Sequence, residues 1–202
     1  AARGVVAFVN FVGTGGLQAL RPVLDELQIP MIGNSSGANQ VRDLEVEGSR
    51  WVYHSKASYG DEFQGLARIM PTIGLMNVAL VYQDNPFGRA GLESARAAFS
   101  RPGALVPTVS MGNSVDKIDV AILEVMRIKP HAVVLVAAGT LAPEFIAKYQ
   151  QAAGAHARVA VLSVVGVRNL NNRLGEKISG IITSMVYPSP WSTSRKMVRE
   201  YQ

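Results

Sequence analysis

From Asn77 to Val165 short apolar runs alternate with longer segments whose apolar residues return at helical spacing. The runs Val78–Tyr82, Leu105–Val109, Ala132–Ala138 and Val159–Val164 have the length of strands. Between them, Phe87–Ser100, Val115–Ile128 and Leu141–Ala153 predict amphipathic helices. Ile118, Ala121, Ile122, Val125 and Met126 form the stripe of a helix lying on a sheet. The strands are continuous Val, Leu and Ala runs, as expected where helices cover both sheet faces. This pattern predicts an α/β fold with a doubly wound parallel sheet, which binds ligands beyond the carboxyl ends of its strands.

Upstream the pattern is looser. Val5–Phe8 reads as a strand, Gly16–Leu27 as a helix and Ile29–Ile32 as a second strand. A polar stretch from Gly33 to Gly48 holds a brief helical turn near Asn39–Leu44. Trp51–His54 then predicts a strand and Tyr59–Thr72 a helix. Beyond Val165 come a short helix at Asn169–Leu174, a strand at Gly180–Val186 and a last helix over Trp191–Gln202. Lys56–Gly60 and Tyr187–Trp191 carry the small residues and prolines of crossovers between lobes. The chain opens on a strand and stops inside a helix with no Gly or Pro stop signal, so both ends are expected to be cut.

Composition narrows the possible functions. A hydrophobic fraction of 48% beside 17% charged residues supports a sizeable core. No apolar run approaches the ~18–20 residues of a membrane helix, and nothing at the start resembles a signal peptide. With no cysteine, disulfides, thiolate metal sites and a Cys nucleophile are excluded. The net charge of +5 comes from scattered Lys and Arg without interleaved aromatics, which argues against nucleic acid as a partner.

Gly13-Thr14-Gly15-Gly16 stands ahead of a helix, where free N–H groups and the helix dipole suit an anion. No Gly-Lys-Ser/Thr follows, so it is not a nucleotide P-loop. Gly33-Asn34-Ser35-Ser36-Gly37 has the G-x-S-x-G spacing of a nucleophile elbow, which raises an α/β hydrolase acting through Ser35. His131 and His156 sit at the wrong strand ends for that chemistry, and His54 is the one histidine placed to serve it. Asp61, at a helix start, suits a first-turn capper, and Phe87 suits the core end of its own helix.

Four stretches together resemble the type 1 periplasmic solute-binding proteins, specifically the branched-chain amino-acid-binding family that serves ABC transporters. They are Val12–Gly16, Ile29–Ala38, Ala57–Glu62 and Tyr82–Leu92. Their order fits the family over nearly all of the chain. The resemblance implies a two-lobe fold, each lobe a doubly wound parallel sheet, of which this chain is a fragment. Residues 1–59 would be part of lobe 1, residues 60–186 lobe 2, and residues 187–202 the return into lobe 1. It also implies a non-enzymatic, periplasmic protein without cofactor, which delivers a carboxylate-bearing solute or amino acid to a membrane permease. A ligand-sensing module signalling to a protein partner is the alternative within the same fold.

The resemblance assigns the ligand's carboxylate to Thr14 and Gly15, and both its carboxylate and its amine to the loop of Ser35, Ser36 and Gly37. Tyr59 would cover the ligand, Asp61 would lie near the cleft and Phe87 would pack on the ligand. Leu141 stands where relatives carry a cleft aromatic. Val165 stands where amino-acid-binding relatives place a glutamate for the ammonium, and a buried ammonium without a carboxylate is costly. The departure at Val165 favours an aliphatic or aromatic acid unless Asp61 supplies the charge. A truncated sheet leaves an unpaired edge, so self-association of the fragment is expected.

Overall fold

A computed structural model describes residues 4–46, 48–100, 105–189 and 192–201. The first sheet is parallel and three-stranded, with β1 (Phe8–Val9), β2 (Met31–Asn34) and β3 (Val52–His54) in that order. Helix α1 (Thr14–Leu27) joins β1 to β2 and buries Leu17 and Leu24. The second sheet is parallel and five-stranded, ordered β5-β4-β6-β7-β8. Its strands are β4 (Val78–Tyr82), β5 (Thr108–Ser110), β6 (Ala132–Val136), β7 (Arg158–Val161) and β8 (Ile182–Thr183). Because β5 and β6 flank β4 on opposite sides, the strand order reverses at β4, and the loops after β4 and β6 diverge there.

Two apolar layers hold the second sheet. Val81, Val133, Leu135, Val159 and Val161 face α4 (Ile118–Ile128), α5 (Leu141–Gln151) and α6 (Val167–Leu174). Leu80, Val134, Val136 and Ala160 face the other way, toward α2 (Tyr59–Ile69) and α3 (Pro86–Phe99). This second layer continues without a break into Leu17, Leu24, Met31 and Val52 of the first sheet. The helical stripe on α4 is as the periodicity predicts, with Ile118, Ala121, Ile122 and Val125 buried. On the first sheet Val9, Ile32 and Tyr53 pair in one row and are all exposed.

Several element ends differ from the sequence expectation, and each difference has a local cause. The strand expected at Leu105–Val109 lies at Thr108–Ser110. Leu105 is 99% exposed, and Pro107, lacking an N–H, contributes only its carbonyl to Leu80 N. The strand expected at Val159–Val164 runs Arg158–Val161, since Ser163 N donates to the Glu62 carboxylate and Ser163–Val165 turn as a 3-10 helix. Helix α1 starts two residues early, at Thr14. The first strand is Phe8–Val9 rather than Val5–Phe8, and the second runs Met31–Asn34 rather than Ile29–Ile32. The strand expected at Gly180–Val186 is only Ile182–Thr183. The last helix is α7 (Lys196–Tyr201); Pro190, Trp191 and Gln202 lie outside the described residues.

Candidate functional site

The loops after β1 and β2 meet at one point. Helix α1 has Gly13 as its N-cap at φ 115°, with no side-chain cap and no acidic residue in the first turn. Its opening N–H groups are therefore presented to an incoming acceptor rather than capped by the chain's own carboxylate. Thr14 is buried, and its Oγ1 lies 2.9 Å from Ser36 Oγ. Ser36 is in turn held by Asn34, whose Oδ1 accepts from Ser36 N at 3.1 Å, and its Oγ accepts from Ala38 N at 3.3 Å. Ser35 points elsewhere: its hydroxyl donates to the Phe11 carbonyl at 3.2 Å.

Tyr59, the first residue of α2, closes over this pair. It is 2% exposed, and its N donates to Gly37 O at 2.7 Å. Burial pushes its phenol pKa up, against hydrogen bonding from the Gly37 backbone and the Thr14 and Ser36 side chains. Gly37 is required here, because a Cβ would stand 2.6 Å from the ring. Phe87, in the first turn of α3, meets Tyr59 edge to face with ring centroids 5.3 Å apart. At Gly15 a Cβ would come 3.2 Å from Pro86, so the opening turns of α1 and α3 abut. Thr14, Gly15, Ser36, Gly37, Tyr59 and Phe87 are thus assembled at one place. The loop after β4 is braced from behind by Gln83, whose side chain accepts from Ala138 N and donates to Asn113.

Asp61 does not join this group. It is exposed and completes a capping box with Ser58: its Oδ2 accepts from Ser58 N at 2.9 Å, and its N donates to Ser58 Oγ at 3.1 Å. Those bonds hold its pKa below the ordinary carboxylate value. Val165 is buried in the core layer with Leu141 and Leu170, so both Val165 and Leu141 pack inward among apolar neighbours.

The carboxylate that sequence reasoning missed is the next one along, Glu62. Its side chain is 2% exposed and pairs with Lys56, itself 7% exposed, at 3.5 Å. Glu62 Oε2 accepts from Ser163 N at 2.8 Å and from Ser184 Oγ at 2.5 Å, while Oε1 has no hydrogen-bond partner. Lys56 Nζ lies 5.4 Å from the Tyr59 ring centroid. The signal was a second acid beside Asp61; only burial distinguishes the two.

The hydrolase reading loses its base. His54 Nε2 donates to Val41 O at 3.1 Å and its Nδ1 accepts from Asn34 Nδ2 at 3.0 Å, which is the neutral ring. Burial, then the Arg42 charge, lowers its pKa. His54 thus braces Asn34 and leaves Ser35 alone. Among the described residues no group of three or more His, Cys, Asp or Glu could hold a metal, and no helix is long and apolar enough to cross a membrane. A cavity of about 300 Å³ lined by Met76, Asn77, Phe99 and Pro130 lies at the opposite end of the second sheet, where the strands begin.

The strand-end loops of the two parallel sheets thus bring the Thr14, Ser36 and Tyr59 hydroxyls together beside an aromatic pair. A profile of the periplasmic binding protein family matches residues 1–202, and the chain belongs to that family. No curated protein matches it. It is similar to a possible leucine/isoleucine/valine-binding protein from Rhodopirellula baltica SH 1, with 23% identity and a TM-score of 0.86 over 99% of this chain and 55% of that one. A solute-binding protein of an ABC transporter from R. palustris in complex with benzoate is 19% identical, with a TM-score of 0.81 over 99% and 54%. A branched-chain amino acid ABC transporter structure from Thermus thermophilus with bound valine is 22% identical, with a TM-score of 0.75 over 88% and 46%. The chain thus spans about half the length of these relatives, and they share its type 1 fold.

Proposed function

We propose that this chain is the ligand-gripping portion of the substrate-binding component of an ABC transporter, acting in the periplasm and handing its solute to a membrane permease. Residues 1–59 would belong to one lobe, 60–186 to the other, and 187–202 to the return between them. The observation that carries this reading is the convergence of Thr14, Ser36 and Tyr59 at the uncapped start of α1. Hydroxyls and free N–H groups around one point suit a carboxylate. Tyr59 would end the first lobe and Phe87 would belong to the second; the two rings already meet at this point and would wall the ligand. One neighbour holds valine and another benzoate. With Val165 apolar and Asp61 spent on its own helix, the organic or aromatic acid is favoured over the amino acid.

A thermal-shift screen of the intact protein tests this. The panel holds branched-chain and polar amino acids, aliphatic and dicarboxylic acids, and benzoate. Ligand at a thousandfold its Kd adds about 4 kcal/mol of stability. At ~2–4 °C per kcal/mol for a protein this size, that is a rise of roughly 8–16 °C. A shift with acids is expected; no shift with any member of the panel would overturn the proposal.

A further inference from the structure

Strand β2 carries one residue too many for its partner. Ile32 pairs with Tyr53 and Asn34 with His54, which leaves Gly33, at φ 71°, unpaired between them. A bulge with glycine in the left-handed region re-aims the side chains that follow it. Strict alternation from buried Met31 and exposed Ile32 would turn Asn34 outward. The bulge turns it inward instead, and Asn34 is fully buried.

An amide is thereby placed beside the hydroxyl cluster, and its two ends have different tasks. Asn34 Oδ1 accepts from Ser36 N at 3.1 Å, so Nδ2 is the end that meets His54 Nδ1 at 3.0 Å. Nδ2 has one other acceptor, the Ser36 carbonyl at 3.4 Å, which is long. His54 must therefore accept at Nδ1, and the Val41 carbonyl, 3.1 Å from Nε2, requires the ring proton there. A proton on Nδ1 would go to the Ser36 carbonyl, which also faces the ring, and would leave the buried Asn34 amine without an acceptor. Only the neutral Nε2–H ring meets every demand. If the Asn34 amide turned over, its amine would face the Ser36 N–H, donor against donor, and Ser36 would lose its anchor. Ser36 is the residue whose hydroxyl meets Thr14 Oγ1 and the Tyr59 phenol.

We propose that His54 is a positioning residue for the solute site: by accepting from Asn34 it fixes which way that amide points, and so holds the Ser36 hydroxyl ready for a ligand. This inference rests on the proposed solute-binding function and extends it to a residue that would not touch the solute.

The test compares two substitutions in the intact protein. His54→Leu keeps bulk and removes the acceptor, while His54→Asn keeps a carbonyl oxygen near the place of Nδ1 and cannot take up a proton. Calorimetric titration uses the member of the panel above, benzoate, an aliphatic or dicarboxylic acid or an amino acid, that shifts the wild type most. It is run at a temperature where melting curves show each variant folded. Kd is expected to rise roughly three- to tenfold in His54→Leu, the cost of ordering about one side chain on binding, and to stay within about twofold of wild type in His54→Asn. A two-bond proton–nitrogen correlation spectrum of the ligand-free wild type at about pH 8 should show His54 as the neutral Nε2–H tautomer, identified by its loss in His54→Asn. An Nδ1–H tautomer overturns the inference without any ligand. So does an unchanged Kd in His54→Leu, or a loss in His54→Asn as large as in His54→Leu; each of these leaves the solute-binding reading standing. A wild type that binds no member of the panel removes both.

Discussion

Two glycine-to-alanine substitutions on neighbouring elements should move stability in opposite directions. At Gly37 the new methyl would stand 2.6 Å from Tyr59 Cδ1 and 2.9 Å from Tyr59 N, where ordinary contact begins at 3.4 Å. Roughly 0.8 Å must be found by moving a ring that is 2% exposed and packed against Phe87, or by breaking the 2.7 Å bond from Tyr59 N to Gly37 O. Overpacking of this kind costs about 1–3 kcal/mol, hence a fall in Tm of roughly 2–12 °C. At Gly65, inside α2, a Cβ meets nothing within 4 Å. Alanine there removes only the entropic penalty of a helical glycine, worth about 0.5–1 kcal/mol, and should raise Tm by roughly 1–4 °C. Calorimetric melting of Gly37→Ala, Gly65→Ala and the wild type decides it. A Gly37→Ala protein melting at or above the wild-type temperature would refute the packing argument, and so would two shifts of the same sign. Ligand affinity should fall in Gly37→Ala alone, since only that change displaces Tyr59.

The ion pair should behave as a unit. Glu62→Leu strands the Lys56 ammonium and leaves Ser163 N with Ser184 Oγ as its acceptor, at a cost of about 3–5 kcal/mol, while Lys56→Met/Glu62→Leu recovers most of it. Urea midpoints at constant slope measure this, and strictly additive single effects would contradict the pairing. His54 titrates below its ordinary value near 6.5, so the unfolded chain binds its proton more readily than the folded one. Its contribution is complete above about pH 6.5 and is lost as pH falls through that value toward the depressed folded pKa. The slope of stability against pH in that window should flatten in His54→Gln, and an unchanged slope would remove His54 as its source. For self-association, the exposed row Val9, Ile32 and Tyr53 offers a parallel sheet face that helices ordinarily cover. Light scattering of the 202-residue chain should show mass rising with concentration, and a clean monomer at high concentration would count against it.

The order of elements and the parallel sheet follow from the sequence by itself, because the hydrophobic period of a strand or helix is a local property. Val78–Tyr82 was legible to the residue for that reason, and the α4 stripe nearly so. The Gly13–Gly16 run was legible as the approach to a helix, although the helix begins at Thr14 rather than Gly16. What the tertiary structure decided were choices between equivalent local options. Asp61 and Glu62 are both acids in the first turn of α2, and nothing local ranks them. The capping box with Ser58 turns Asp61 outward, and the next residue then faces the strand ends, where Lys56, Ser163 and Ser184 are waiting. Ser35 and Ser36 differ in the same way: one turns to the Phe11 carbonyl and the other to Thr14. Strand ends also depended on distant partners, because two residues beyond β7 the Ser163 N–H donates to a side chain 101 residues away. A period specifies which face of an element is apolar; which polar group gets buried is set by what arrives opposite it, and that is known only once the chain has folded.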